Sequence, residues 1–399
     1  MAMKKFLRTH KTNIVDGQGR KVMLRGVNLG GWLMMEGYIL QARNIAVHQF
    51  KKEFSAALGA KALKDLEKSF YQSFIQESDF EAIAKLGLNC IRLPFHHSLI
   101  ERVPYHYSDD GLAYLDQAIA WAEKYHLYII LDLHAAPGSQ NHDWHSDSLG
   151  AAELWKNKIF QKRTFALWEF LADRYKDNPT VAGYDLLNEA VIDDAAVLNR
   201  FYATLIRQIR AADKNHILFV EGNKWATDIK CLQRFPDTNL ALSIHFYHPI
   251  DFTFNFVPQL SYPLRYQKIF WNKAMFGRIV ASYAKIAKEH QAPILVGEFG
   301  VNYRDNRDGE VDCLSDVVKC FNDHDFHWTY WTYKAIKNTT FPDGILSSYP
   351  NHPWVNRQGP KTGWETYAAL WPKEKRRIIE SWKSDHFTPN AKVIKALAQ

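Results

Sequence analysis

Apolar positions along the chain follow two rhythms. Short runs rich in Val, Ile, Leu and Phe recur at Val22–Leu29, Asn89–Phe95, Tyr128–His134, Val181–Asn188, Ile217–Glu221, Leu240–Tyr247, Pro293–Phe299 and Trp328–Lys334. Such near-continuous runs are the pattern of strands buried on both faces. Between them, Gln76–Leu86, Leu112–Tyr125, Lys158–Tyr175, Ala195–Ala212, Ala274–Glu289 and Val311–Asn322 set apolar residues three and four apart, which predicts helices with one buried stripe. Eight strands alternating with helices, with no Pro/Ser linker or low-complexity segment between them, predict an α/β chain. The expected fold is a parallel (β/α)8 TIM barrel occupying 1–399 as one domain, with a doubly wound open sheet as the alternative. Ahead of the first run, Asn13-Ile14-Val15 and Lys21-Val22 flank Asp16-Gly17-Gln18-Gly19. That reads as a β-hairpin able to plug the bottom of the barrel.

Three connections, 37–74, 231–239 and 251–272, are longer than ordinary barrel loops. Extended βα loops usually form the rim of an active site. The last of them carries Phe252, Phe254, Phe256, Tyr262, Tyr266, Phe270 and Trp271, suited either to stacking on sugar rings or to a local mini-core.

Composition narrows the function classes. Hydrophobic residues at 47% and charged residues at 23% exclude disordered, collagen-like and coiled-coil chains. No uncharged apolar stretch is long enough to cross a bilayer, so a soluble protein without a membrane partner is expected. The net charge of +7 is spread thinly, and its one dense run, Lys373, Lys375, Arg376 and Arg377, fits a solvated helix face. A nucleic-acid partner is therefore not expected. Met1–Thr12 is basic but lacks an apolar core, which favours a cytoplasmic location unless a leader has been trimmed. The spacing of Cys90, Cys231, Cys313 and Cys320 matches neither a disulfide framework nor a Cys-x-x-Cys zinc site.

In a barrel, the chemistry belongs at the C-terminal ends of the strands. Arg92 lies in the second run, Asp132 and His134 close the third, Asn188 and Glu189 the fourth, His245 and Tyr247 the sixth, and Glu298 the seventh. Several charged groups on converging strands imply a shared polar pocket, because each alone would be costly to bury. Carboxylates on the fourth and seventh strands face each other across the mouth, which suits retaining glycoside hydrolysis by an acid/base with raised pKa and an ionised nucleophile. His134, His142, His145, His245 and His248 raise the question of a metal, but carboxylate ligands are not placed beside them. Neither a metal nor a cofactor is expected.

The strings Leu186-Leu187-Asn188-Glu189 and Val296-Gly297-Glu298-Phe299-Gly300 resemble the acid/base and nucleophile motifs of glycoside hydrolase family 5, a retaining (β/α)8 family. Arg92 in Asn-x-x-Arg-Leu-Pro, His134, Asn188, His245, Tyr247 and Trp331 match that family's sugar-binding positions, and the likeness runs over nearly the whole chain. The resemblance implies Glu298 as nucleophile, Glu189 as acid/base, Arg92 and Tyr247 holding Glu298 ionised, Asn188 on the sugar 2-hydroxyl, and Trp331 beneath the ring. Leu24 to Trp32 followed by Glu36, and His134 to Asn141, further resemble the exo-β-1,3-glucanase and β-glucosidase branch. That branch implies Glu36 on the terminal sugar and Asn141 beside it. After Asn141 the chain reads His142-Asp143-Trp144-His145-Ser146-Asp147 and leaves the pattern. The implied activity is exo-hydrolysis of a β-glucan oligosaccharide or β-glucoside. An endo-acting β-1,4-glucanase or mannanase and a non-catalytic carbohydrate-binding barrel are the alternatives, and the Phe252–Phe256 loop also suits a lipid-linked glucoside. Trp32, Trp144, Trp225, Trp328 and Trp354 are further stacking candidates, with Asn223 and Trp225 the better placed.

Overall fold

The computed structural model describes residues 5–348 and 363–399, so Trp354 lies outside the described residues. The chain begins with an antiparallel pair, β1 (Arg8–His10) and β2 (Asn13–Val15), in the register Arg8↔Val15. The expected hairpin forms as a short pair across the Asp16–Gly19 turn: Val15 bridges Lys21, Val22 N–H donates to the Ile14 carbonyl (2.9 Å) and Asp16 N–H to the Arg20 carbonyl (2.9 Å), and β1 extends the pairing upstream. The Asp16 side chain closes the turn, its Oδ1 accepting from the backbone N–H of Gln18 and of Arg20 at 2.8 and 3.0 Å.

The barrel strands are β3 (Arg25–Asn28), β4 (Cys90–His96), β5 (Tyr128–Ala135), β6 (Val181–Asp185), β7 (Ile217–Glu221) and β8 (Leu240–His245). After a small antiparallel pair, β9 (Leu264–Tyr266) and β10 (Ile269–Trp271), come β11 (Ile294–Glu298) and β12 (His327–Tyr330). The eight barrel strands are parallel and closed, with β12 returning to β3 through Tyr330↔Val27. This is the (β/α)8 barrel that the alternating pattern predicts. Gly26 is required where β3 meets β4, because a Cβ there would lie 1.8 Å from the Cys90 carbonyl oxygen.

Period two along each strand sorts the side chains into separate populations. Ile91, Leu93, Ile129, Leu131, Leu218, Val220, Leu242, Ile244 and Val296 face outward into the main core beneath the helices. Inside, Leu24, Cys90, Ile130, Ala182, Ile217, Phe219, Ala241 and Leu295 form a second apolar cluster, which Leu7 and Ile14 close from below. One step further along the same strands, toward their C-terminal ends, the buried residues become Asn28, Arg92, Asp132, Asp185, Glu221, Ser243 and His245. The barrel is therefore apolar at its base and polar toward the mouth, with the N-terminal pair stoppering the base.

Six observed helices, Glu77–Lys85, Asp109–Lys124, Lys158–Tyr175, Ala195–Ala212, Lys273–His290 and Glu310–Asp323, fall on the expected ones within three residues at each end. The 37–74 connection folds into two further helices, Val47–Leu58 and Ala60–Ser73. They pack on the helix Tyr367–Ser381 and its flanks, with Phe50 stacked on Trp364 just before it (4.7 Å) and Phe70 edge-on to Trp382 just after it (5.0 Å). Buried Lys334 ties the same region, donating to the carbonyl oxygens of Phe74 and Trp382 and to Ser384 Oγ. Lys373, Arg376 and Arg377 are exposed on that helix, while Lys375 pairs with Asp65 at 2.5 Å. No helix among the described residues is long and apolar enough to cross a membrane.

Candidate active site

The site is built outward from Arg92. Its side chain is completely buried, a position that a guanidinium tolerates only when ringed by acceptors. Nε donates to Asp185 (2.8 Å), Nη1 to Asn28 Oδ1 (3.1 Å) and Glu298 Oε1 (2.9 Å), and Nη2 to Asn188 Oδ1 (2.9 Å) and Glu221 Oε1 (3.0 Å). Asp132 Oδ1 lies 3.1 Å from Nη2. Burial alone would lower the guanidinium's proton affinity, but Asp132, Asp185, Glu298 and Glu221 keep it charged. Burial, together with neighbouring Glu221, pushes the Asp185 carboxyl up to about 7.

Above this layer, His134 bridges Asp132 (Nδ1, 2.8 Å) and Glu36 (Nε2, 3.2 Å). Burial works against its charge, but these two carboxylates outweigh it and raise His134 to about 10. Trp331 lies flat against it, with ring centroids 5.4 Å apart at 9°, and donates its Nε1–H to Tyr38 OH. Glu36 is itself raised by burial.

Glu298 ends β11, whereas Glu189 lies four residues beyond β6 in a left-handed conformation, φ 48°. That backbone costs a side-chain-bearing residue about 1 kcal/mol. It is held by Glu189 N–H donating to Glu221 Oε2 (2.6 Å) and by Asn141 Nδ2 donating to the Glu189 carbonyl (2.9 Å). Carboxylate oxygens of Glu189 and Glu298 come within 4.8 Å of each other, with His245 between them. His245 Nδ1 is 2.6 Å from Glu189 Oε1 and 3.5 Å from Glu298 Oε2, and its Nε2 is 3.2 Å from Glu221. Burial disfavours the imidazolium, yet Glu298, Glu221 and Glu189 together raise it well above its ordinary value. Tyr247 OH donates to Glu298 Oε2 at 2.9 Å. Burial and the Glu298 charge raise that phenol, which keeps its proton for the bond.

The expectation of a raised Glu189 is reversed in the open pocket. Burial pushes it up, but the His245 hydrogen bond and the charges of His245, His145 and His134 bring it down to about 2. Both shifts favour the proton on the imidazole side of this short bond.

The cavity over these groups has a volume of about 640 Å³ and is lined by Glu36, His134, Glu189, His245, Tyr247, Glu298 and Trp331 among the expected residues. Arg92, Asn188 and Asn141 do not line it. Arg92 lies beneath it, bonded to Glu298. Asn188 is fully buried, and its Nδ2 has no hydrogen-bond partner among the described residues. Asn141 commits Nδ2 to the Glu189 carbonyl and Oδ1 to the Asp143 N–H, so it shapes the loop instead of presenting an atom to the cavity.

Two features of the lining come from loops. Tyr38 stacks on Phe341 (4.8 Å), and Trp144 meets both edge-on (6.1 and 6.2 Å), joining three loops into one aromatic wall. Elsewhere the rim carries Trp225, Ile250 and Phe256, which are 38%, 47% and 44% exposed. Trp225 lies in a left-handed run with Lys224 and Ala226 (φ 53–57°), braced by Asn223 bonds to Ile192 and by its own Nε1–H on Asp143 Oδ2 (2.7 Å).

Glu189, His245 and Glu298, and separately Asp132, Asp185 and Glu221, are close enough to hold a cation. In the first set His245, and in the second Arg92, already supplies the positive charge the carboxylates need. Asp185, Glu221, Asp143 and His145 are site groups that the strand-end reading passed over. The first two were accessible to it as acidic residues at the ends of apolar strands, but the last two belong to a loop without periodicity.

The family profile described as Cellulase (glycosyl hydrolase family 5) matches residues 48–337. A β-xylosidase of Phanerodontia chrysosporium is 34% identical over 83% of this chain and 71% of its own length. Endoglucanase C of Acetivibrio thermocellus is 26% identical over 78% of this chain and 91% of its own. A probable glucan 1,3-beta-glucosidase A of Aspergillus fumigatus is 32% identical over 52% and 51%. With a closed (β/α)8 barrel, two facing glutamates over a buried arginine, and this profile across most of its length, the chain belongs to glycosyl hydrolase family 5 and is a glycosidase.

Proposed function

We propose that this glycosidase is a retaining, exo-acting enzyme that releases the terminal sugar of β-glucosides, with Glu298 as nucleophile and Glu189 as acid/base. The approach of the two carboxylates to within 4.8 Å carries the reading. Retaining enzymes set their carboxyl groups about 5–5.5 Å apart, whereas inverting ones leave about 6.5–9.5 Å for a water. Both Glu298 oxygens are engaged, one by Arg92 and one by Tyr247, which aims the group at the cavity.

In the first step Glu298 attacks the anomeric carbon and an ester to the enzyme forms. The bond to the leaving oxygen breaks, and that oxygen takes the proton of the Glu189–His245 pair. A sugar filling the cavity expels water and raises the cost of the separated charges, which moves the proton from His245 onto Glu189. Once Glu298 is esterified its charge is gone, and Glu189 returns to carboxylate to deprotonate the water that releases the sugar. Asn188, expected on the sugar 2-hydroxyl, lies beneath the cavity lining, bonded to Arg92, and Trp331 in the lining supplies an apolar floor for the ring.

The wall of Tyr38, Trp144 and Phe341, with Glu36 and His134 at its foot, supports a pocket closed behind one sugar. The exposed apolar rim at Trp225, Ile250 and Phe256 supports an aryl or other apolar aglycone. The test is product analysis over time on laminari-oligosaccharides, cello-oligosaccharides and an aryl β-glucoside, with Glu298→Ala as control. Monosaccharide alone from the first time point, released as the β-anomer by NMR and abolished in the variant, is the expected result. A ladder of shorter oligosaccharides indicates an endo enzyme, first release of the α-anomer overturns retention, and no turnover on any substrate indicates a binding barrel.

A further inference from the structure

Glu189 is faced by histidine on both of its oxygens. His245 holds Oε1, while His145 Nε2 stands 3.5 Å from Oε2, the oxygen that remains to meet the leaving group. The same His145 Nε2 is 3.6 Å from Asp143 Oδ2, which also accepts the Trp225 indole N–H. His145 belongs to a loop of fixed shape. Ser146 Oγ donates to the Asn141 and Asp143 carbonyls, and Asp147 binds His96 Nε2 (2.8 Å) and the backbone N–H of His48 (2.9 Å). Its imidazole is almost buried, packed edge-on against Trp144 (5.4 Å) and near His134 (6.4 Å). A side chain placed this firmly against the second carboxylate oxygen does more than fill space.

Building on the assignment of Glu189 as acid/base, we propose that His145, anchored by Asp143, is a positioning residue that sets the proton affinity of the Glu189–His245 pair and orients Glu189 Oε2 toward the leaving oxygen. As an imidazolium it stabilises the Glu189 carboxylate, the form that the water-activating half of the reaction needs, and limits how readily the pair holds its proton for the first half. Burial opposes the charge on His145, while Asp143, Glu189 and Glu36 raise it and His134 lowers it. The other groups around Glu189 are His245 on β8, Glu221 at the end of β7, Glu298 at the end of β11, His134 on β5, and Lys224 on the cavity rim. None of these is hydrogen-bonded to the His145 side chain among the described residues.

The experiment is the pH profile of kcat/KM for the full-length enzyme on an aryl β-glucoside. His145→Gln removes the cation and keeps an N–H at the site. The alkaline limb, which reports loss of the proton of the pair, is expected to move up by about one pH unit. Asp143→Asn weakens the charge on His145 and is expected to move the limb the same way by a smaller amount. A purely structural role for His145 lowers the rate at every pH and leaves the limb where it is, which overturns the proposal. A downward move in Asp143→Asn also overturns it, since Asp143 would then act on Glu189 directly as a like charge. Should His145→Gln fail to fold, the Asp143→Asn profile decides. Glu189→Ala, with azide added to restore turnover, is run alongside. A variant as active as the parent defeats the acid/base assignment itself, whereas a rescued variant beside an unmoved limb defeats only the role of His145.

Discussion

Around Arg92 one guanidinium serves Asp132, Asp185, Glu221 and Glu298, so its replacement has a different meaning from replacement of any one partner. Arg92→Met leaves these carboxyl groups with His134 and His245 alone as neighbouring cations among the described residues, and breaking such a buried pair costs about 3–5 kcal/mol. The variant is expected to lose stability on that scale, measured as the midpoint of urea unfolding, before activity can be compared. Tyr247→Phe removes one bond to Glu298 Oε2 and little volume. A hydrogen bond to a charged group contributes about 1.5–3 kcal/mol, equivalent to a loss of about 10- to 100-fold in kcat/KM. Its unfolding midpoint is expected to match that of the parent, which separates a site residue from a folding residue. The strand-end reading found Glu298, His134 and His245 because an ionisable group closing an apolar strand breaks the pattern. Asn141 is placed differently from its expected contact with sugar, because backbone donors and acceptors nearer in the chain claim both of its polar atoms.

At the level of elements, the connections past the strands contribute as much to the site as the strands do. Two additional helices, Val47–Leu58 and Ala60–Ser73, fold against the helix Tyr367–Ser381, and Lys334 is a polar tie between the two regions. Burial, the dominant influence, lowers Lys334 to about 8, against 10.5 unperturbed. Between those values the unfolded chain binds more protons than the folded one, so this residue's contribution to stability rises with pH across the interval. Lys334→Met is expected to remove that slope, and to lower stability below pH 8 by about 1–3 kcal/mol through the carbonyls it leaves unpaired. Urea unfolding of both proteins between pH 7 and 10.5 measures both effects, and parallel curves would contradict the burial argument. The 3.6-residue pattern located six helices closely because each buries one stripe on the barrel. The N-terminal hairpin was legible for a local reason, turn residues at 16–19 that the side chain of Asp16 closes.

For the molecule as a whole, stability and chemistry are divided between the two ends of the barrel. Leu7 and Ile14 seal the apolar base, and Arg92 with its carboxylates occupies the layer nearer the mouth. Ile14→Ala is expected to cost about 2–5 kcal/mol of stability with kcat unchanged at temperatures where the variant is folded. A fall in kcat there would show that the base is coupled to the site. At the opposite end, Phe341→Ala removes one side of the wall formed with Tyr38 and Trp144. If that wall enforces exo action, the variant releases disaccharides as well as monosaccharide from long oligosaccharides. The alternation of buried strands and one-sided helices narrowed the fold to a parallel barrel or a doubly wound sheet, and charged residues at strand ends placed a polar pocket with two facing carboxylates at one mouth, because these follow from periodicities of two and 3.6. Closure of the barrel, the left-handed backbone that carries Glu189, the paired histidines on its carboxylate, and the aromatic wall came only with the folded structure. The last three depend on loops whose backbone is set by individual hydrogen bonds and left-handed residues, contacts between positions up to 300 residues apart that no local pattern records.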